Sequence, residues 1–279
     1  MKKKRITKGS VIQIIVDFIP FSFFILILIP LVWMILSSLK ETNEIFADIW
    51  GLPKKWIFHN YVEAWNTGIS QYFLNSLIVT AATCILNVAL CGLYAYALVA
   101  FQFLGEKLFH MLAMGGMMFS PIVSLIPLYQ ELQALHLYNT LPALILIYTA
   151  FQMPLCFMLT YNYFKEIDST YIEAAKIDGC NSIQILARVF IPVSKPIIMT
   201  CTVLTAFYAW NEFTFALIFI NDEVKKTVPI GLLAFQGEMH AEWSVLLAGL
   251  TISAIPIIIF FMFTQKYFIA GLSAGGVKG

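Results

Sequence analysis

Glu173-Ala-Ala-Lys-Ile-Asp-Gly179, ten residues ahead of Val189-Phe-Ile-Pro192, occupies a polar stretch between two long apolar runs. Asp168-Ser-Thr170 can cap a helix beginning near Tyr171, and Thr170-x-x-Glu173 has the spacing of a capping box. Ala174 and Ala175 favour helix without adding bulk, so a second surface can come close to the backbone. Gly179 can take the positive φ that ends such a helix. A second helix over about 181–190 would then run into Pro192, which cannot continue it without strain. The expected product is a helix–turn–helix lying on one face of a membrane. Two readings of it stand side by side. One is a capped connector in which Glu173 only closes the box; the other is a docking element whose carboxylate meets a cation on a partner. The pattern spans about twenty residues with a glycine and a proline in register, which favours docking.

The membrane setting follows from composition. Of 279 residues, 60% are hydrophobic and 12% charged, and mean hydropathy is +0.82, far from soluble averages. Crossing a hydrocarbon core of roughly 30 Å takes about 20 apolar residues. Six such runs are expected, at about 15–36, 73–100, 108–130, 142–163, 197–220 and 245–268. They read as helices, since a helix satisfies its own backbone in lipid, and the alternating pattern of a membrane β-barrel is absent. The chain is therefore expected to be a single domain over 1–279, with the loop 164–196 between the fourth and fifth spans.

Basic residues set the orientation. Lys2, Lys3, Lys4, Arg5 and Lys8 precede the first span, placing the N-terminus in the cytoplasm. Six crossings then put both termini and the 164–196 loop inside. Only Lys40, Lys54, Lys55, Lys225 and Lys226 fall outside, leaving twelve of the seventeen Lys and Arg inside. The near-neutral net charge of +1 conceals this asymmetry and indicates no nucleic-acid partner. The first apolar run is too long for a signal-peptide core and lacks a cleavage site, so it is expected to persist as a helix. Cys84, Cys91, Cys156 and Cys201 fall in spans and Cys180 in the loop, an arrangement suited neither to an external disulfide nor to a metal.

Segment 37–72 is rich in aromatics (Phe46, Trp50, Trp56, Phe58, Tyr61, Trp65, Tyr72), which at a membrane surface usually form an interfacial belt, with contact to an outer partner as the sharper alternative. Pro121 and Pro127 should bend the third span, and Glu131 to Thr140 is polar enough for a short interfacial helix. Asn75 and Asn87 read as interhelical hydrogen-bonding residues. The four histidines show no ligand spacing.

Glu212 is the acidic residue well inside a span, and such a group is a functional candidate by default. Helical spacing would put Tyr208, Asn211 and Glu212 on one stripe, with Trp210 turned away. The stripe could line a translocation pathway, or Glu212 could bond another span. No G-x4-G-K-[S/T] element occurs, so an ATP-binding fold of that type is not encoded here. A membrane enzyme would need clustered His, Asp or Glu at span depth, and an ion-driven secondary transporter usually shows matched repeat halves; neither pattern is found. No catalytic residue, metal ligand or cofactor is expected.

E-A-A-x3-G-x9-[I/V]-x-[L/I]-P resembles the cytoplasmic loop of the permease subunits of binding-protein-dependent ABC importers. Ser120 to Tyr129, Tyr138-Asn-Thr140, Trp210-Asn-Glu-Phe213 and the tail Ala270–Gly279 look like a carbohydrate-uptake permease, nearest to the smaller membrane subunit of maltose-type systems. Val189 and Ile191 replace the commoner Ile and Leu, and Ile167-Asp168 stands where Ile-Pro is frequent. The resemblance implies an all-α polytopic protein with six transmembrane helices and the type I ABC importer permease fold. It implies a second permease, a cytoplasmic ATP-binding subunit dimer and an extracytoplasmic solute-binding protein as partners, with the lipid bilayer around the spans. It assigns Glu173, Ala174, Ala175, Asp178, Gly179 and Pro192 to ATPase coupling. It also sends the tail, including Ser273, Gly275, Gly276 and Lys278, to the ATPase interface. An ABC permease for a non-sugar solute remains the nearest alternative.

Overall fold

The computed structural model describes residues 8–101, 103–235 and 242–276, with side chains at 18–101, 103–233, 235 and 242–266. Every regular element among them is a helix. The chain divides into two compact units, residues 1–67 with 235–252, and residues 68–234 with 253–279.

In the first unit, α1 (Lys8–Ser37) exposes Phe18, Phe21, Phe23 and Phe24 among a long apolar series. The chain then folds back through α2 (Thr42–Ala47) and α3 (His59–Ala64). The Asn60 amide nitrogen donates to the carbonyls of Ser38 (2.8 Å) and Lys40 (3.0 Å), pinning the turn after α1. Lys40 is only 1% exposed, and its ammonium donates to the Asp48 carbonyl at 2.8 Å, as a buried charge must find a partner. A hydroxyl pair, Thr42 and Ser244 at 2.9 Å, joins α2 to the start of α14 (Trp243–Gly276). The interfacial-belt expectation fits Phe46, Trp50, Trp56, Phe58 and Trp65, all exposed, but not Tyr72, which is buried.

The second unit is built on α4 (Ser70–Ala100), α7 (Leu141–Lys165) and α11 (Lys195–Asn211). Asn87 is fully buried and donates to Thr205 Oγ1 across to α11 at 2.7 Å, whereas Asn75 bonds the carbonyls of Val224 and Lys226 in a loop. Tyr72 donates to Glu223 (2.5 Å) and Ser76 accepts from the Val228 amide (2.8 Å), so the segment before α13 (Val228–Gly231) is held against the start of α4. Gly231 fits there because a Cβ would lie 2.1 Å from the Tyr72 ring.

The expected third span is not a continuous helix. It divides into α5 (Glu106–Gly115), one tight turn at Gly116–Met118, an irregular stretch, and α6 (Leu125–Ala134). Phe119 is extended, and the chain cannot stay helical into Ser120-Pro121. Pro127 falls in the first turn of α6, where its missing N–H has no helical partner to lose. The short polar helix thus ends at Ala134, and residues 135–140 turn instead, with His136 and Asn139 at positive φ. Among the described residues four helices are long and apolar enough to cross a bilayer unaided: Phe18–Ser37, His59–Ala100, Leu141–Lys165 and Trp243–Lys266. A fifth arises if Ser182–Val193 and Lys195–Asn211, bent by 78°, act as one. The C-terminal residues Ala270–Gly276 belong to the last helix. The backbone continues α14 to Gly276, since extending a formed helix through glycine costs only about 1 kcal/mol relative to alanine. Lys278 lies outside the described residues.

Candidate functional site

Two features carry the sequence's candidate residues: a helical hairpin at 169–193 and a break in the fifth apolar run.

The hairpin opens at Asp168, whose carboxylate accepts from the Thr170 amide (2.9 Å) and hydroxyl (2.7 Å). These bonds, the amide first, hold the Asp168 carboxyl below the usual carboxylate range. Asp168 is therefore the cap of α8 (Ser169–Ile177), two residues earlier than expected, and Glu173 is left exposed on the helix surface. The far end closes as a Schellman turn. The Cys180 amide donates to the Ala175 carbonyl, the Gly179 amide to Lys176, and Gly179 takes φ +75°. Asn181 and Gln184 then form a reciprocal capping box, both bonds 2.9 Å, that opens α9 (Ser182–Ile185). The path continues through a wide turn, Leu186–Phe190, into α10 (Ile191–Val193). Pro192 does not end the helix where the sequence suggested. The wide turn absorbs it, and the 78° bend comes after it, at Ser194.

Phe190 anchors this hairpin. It is fully buried, edge-on to Tyr96 (5.0 Å) and Phe164 (4.9 Å), and Tyr96 donates to the Ser182 carbonyl at 2.8 Å. Glu173, Ala174, Asp178, Gly179 and Pro192 are exposed together, while Ala175 turns into the core. Sequence reasoning missed three neighbours: Tyr171 (59% exposed), Ile177 (86%) and Ile183 (78%). Their signal was present, as apolar side chains in an otherwise polar loop. Exposed to this degree, each leaves apolar area that water solvates poorly.

The fifth run breaks at Glu212, which is extended (ψ +127°), so the continuous stripe of Tyr208, Asn211 and Glu212 does not form. One Glu212 oxygen accepts from the Phe215 amide (2.8 Å), the other from the Ala216 amide (3.1 Å) and the Tyr148 hydroxyl (2.6 Å). The carboxylate thus caps α12 (Thr214–Phe219) and bonds α7 at once. Tyr208 stands edge-on to Tyr148 at 5.8 Å, and Asn211 is exposed. Trp210 does turn away, buried against Phe73 with its indole N–H on the Ser253 carbonyl. Tyr138-Asn139-Thr140 is a second structural clasp. The Asn139 side chain accepts from the amides of Asn221 and Asp222, and Lys225 donates to the Asn139 carbonyl.

Residues 3–273 match the family model for the binding-protein-dependent transport system inner membrane component. The chain is 49% identical to the probable ABC transporter permease protein YurM of Bacillus subtilis, covering 93% of this chain and 86% of that one. It is 34% identical to the trehalose/maltose transport system permease protein MalG of Thermococcus litoralis (91% and 93% covered). It is 30% identical to the diacetylchitobiose uptake system permease protein NgcG of Streptomyces coelicolor (90% and 84%). Its fold superposes with a TM-score of 0.82 on a chain of a crystallised bacterial ABC transporter that imports the polysaccharide alginate, at 24% identity, covering 95% of this chain and all of that one. With a helical hairpin at 169–193 packed on an apolar helical core and a match over nearly its whole length, this chain belongs to the family of binding-protein-dependent transport system inner membrane components.

Proposed function

We propose that this chain is the membrane-spanning permease subunit of an ATP-driven, binding-protein-dependent importer for a sugar or oligosaccharide. It crosses the cytoplasmic membrane six times with both termini inside. It forms the translocation pathway with a second permease and takes its energy from a separate ATP-binding subunit dimer. The observation that carries this reading is the hairpin: Glu173, Asp178, Tyr171, Ile177 and Ile183 are each exposed on a frame fixed by two caps and Phe190. Carbohydrate as cargo is supported by the relatives named for trehalose, maltose and diacetylchitobiose uptake. The chain itself carries out no catalysis in this scheme and needs no cofactor.

A cysteine at Ile183 tests the docking directly. In the assembled complex it should cross-link to the ATP-binding subunit with a short thiol-reactive linker, and a cysteine at exposed Leu104, on the same expected face, should not. Equal cross-linking at both positions would remove the hairpin from the interface.

The tail gives a smaller effect. By the same reading Ser273, Gly275, Gly276 and Lys278 extend into the ATPase interface. Deleting 273–279 should leave insertion intact and lower the ATP hydrolysis stimulated in the complex several-fold. Unchanged co-purification and uptake after the deletion would assign the tail no part in the cycle.

A further inference from the structure

A cavity of about 350 Å³ lies in the second unit, where the last turns of α7 meet the start of α11. Its lining divides by polarity along α7. Met158 and Leu159, with the buried Ile197 of α11, form an apolar floor. Asn162, Tyr163, Lys165 and Glu166 form a polar mouth, Tyr163 half-buried and the others exposed. At roughly 1.5 Å per residue, the floor and the far edge of the mouth stand about 10 Å apart along the helix. Polarity therefore rises from the interior of the span to its end, the order in which a phospholipid carries its acyl chain and its headgroup.

The mouth holds one charge of each sign, and neither is in an ion pair among the described residues. Lys165 lies over the Tyr161 ring, 5.3 Å from its centroid, and a cation suits the last turn of a helix. Glu166 is placed less well. It caps the C-terminal end of α7, the negative end of the helix dipole, where a carboxylate is disfavoured unless a cation meets it. Asn162 adds an exposed amide that can donate, and the Tyr163 hydroxyl, on the Val193 carbonyl at 3.3 Å, ties the mouth to α10. A purely anionic headgroup would use Lys165 and be repelled by Glu166. A headgroup with a phosphate and a primary ammonium uses both, through charge-assisted hydrogen bonds. A quaternary ammonium has no proton to donate to Glu166, and a soluble zwitterion leaves the apolar floor uncovered.

We infer that this cavity binds a phosphatidylethanolamine of the inner leaflet, with its phosphate against Lys165 and Asn162, its ammonium against Glu166 and an acyl chain over Met158, Leu159 and Ile197. The inference takes from the importer reading only that α7 crosses the bilayer with Glu166 at its cytoplasmic end, and it holds whatever the cargo. Basic groups at the cytoplasmic ends of spans attract lipid phosphates. The acidic neighbour narrows the choice to a headgroup with a positive charge of its own.

The test places the assembled importer in discs of phosphatidylcholine containing phosphatidylethanolamine or phosphatidylglycerol as a minor component. Native mass spectrometry counts the lipids retained by wild type, Lys165→Gln and Glu166→Gln; elution profile and melting temperature report folding. Wild type should retain phosphatidylethanolamine in preference to the other two lipids. Lys165→Gln should lower that retention about fivefold, through the lost phosphate contact. Glu166→Gln should instead abolish the preference over phosphatidylglycerol, since the repulsion that excludes an anionic headgroup is gone. Opposite responses to the loss of opposite charges would not arise from a merely structural role, which lowers retention of every lipid alike. Should Lys165→Gln fail to assemble, the change of preference in Glu166→Gln decides alone. Equal retention of phosphatidylcholine and phosphatidylethanolamine by wild type, or the same lipids on wild type and both variants, would overturn the site. So would displacement of the lipid by an equal concentration of soluble glycerophosphoethanolamine, because the floor would then hold no chain. Cross-linking of Asn162→Cys to the second permease would make the cavity a subunit contact and also end the lipid reading. A chain that fails to co-purify with any ATP-binding subunit sinks the importer reading instead, and the same lipid counts are then read on the permease alone.

Discussion

Gly179→Val is expected to lower ATP-driven uptake about tenfold while the protein still inserts and assembles. Gly179 sits at φ +75° with open space where a Cβ would go, so no clash opposes the substitution. The penalty lies in the backbone: left-handed geometry costs an L-residue roughly 1–2 kcal/mol, with a β-branched side chain at the upper end. That cost falls on the Schellman turn that sets α8 against α9, and one or two kcal/mol changes a population about 5- to 30-fold. Gly179→Asn separates geometry from mere substitution, since asparagine tolerates the left-handed region and should keep most of the uptake. Glu173→Lys should uncouple as well, through charge rather than shape, because Glu173 is exposed and free of the capping box. Uptake and ATP hydrolysis measured on the same vesicles check both. If valine at 179 transports at the wild-type rate, hairpin geometry does not carry the coupling.

The hairpin was legible because its signals are local. Asp168, Gly179 and Asn181 act on residues within a few positions of themselves, and caps can be read from such spacing. The helix start was placed late because Thr170 and Asp168 compete for the same role, and a carboxylate able to take both the amide and the hydroxyl of Thr170 wins. Pro192 misled for the opposite reason: its effect depends on the wide turn before it, which no residue type in Leu186–Phe190 announces. The break in the third run had visible causes in Pro121 and the Gly115-Gly116 pair. Gly116 also packs against Pro154, where a Cβ would lie 2.7 Å from the ring, a contact that the local sequence does not name. Long-range partners were beyond reach. Tyr148 and Glu212 are 64 residues apart, Tyr72 and Glu223 are 151, and nothing in either local pattern names the other.

Glu212 tests how far a span-depth carboxylate serves structure. Its two oxygens satisfy three donors, the Tyr148 hydroxyl and the amides of Phe215 and Ala216. Glu212→Ala removes all three acceptor contacts, and each buried donor left unpaired costs about 1–3 kcal/mol. Several kcal/mol is a large share of a protein's stability, so Glu212→Ala should sharply reduce the amount of folded complex recovered. Glu212→Gln keeps one carbonyl oxygen for an α12 amide, and the Tyr148 hydroxyl can rotate to accept from the new amide. It should therefore fold and show whether the charge itself matters to transport. Asn211 is exposed beside it and Tyr208 is only half-buried, so the proposed pathway can be probed at both. With the five native cysteines replaced by serine, Asn211→Cys should react with a water-soluble thiol reagent, Tyr208→Cys more slowly, and both rates should change when ATP is trapped. A purely structural Glu212 gives another pattern: both cysteines silent in every state, and uptake by Glu212→Gln falling only in step with the amount of complex. The capping geometry makes the first half of this test secure in either case, because the donors on α7 and α12 need an acceptor whether or not solute passes by.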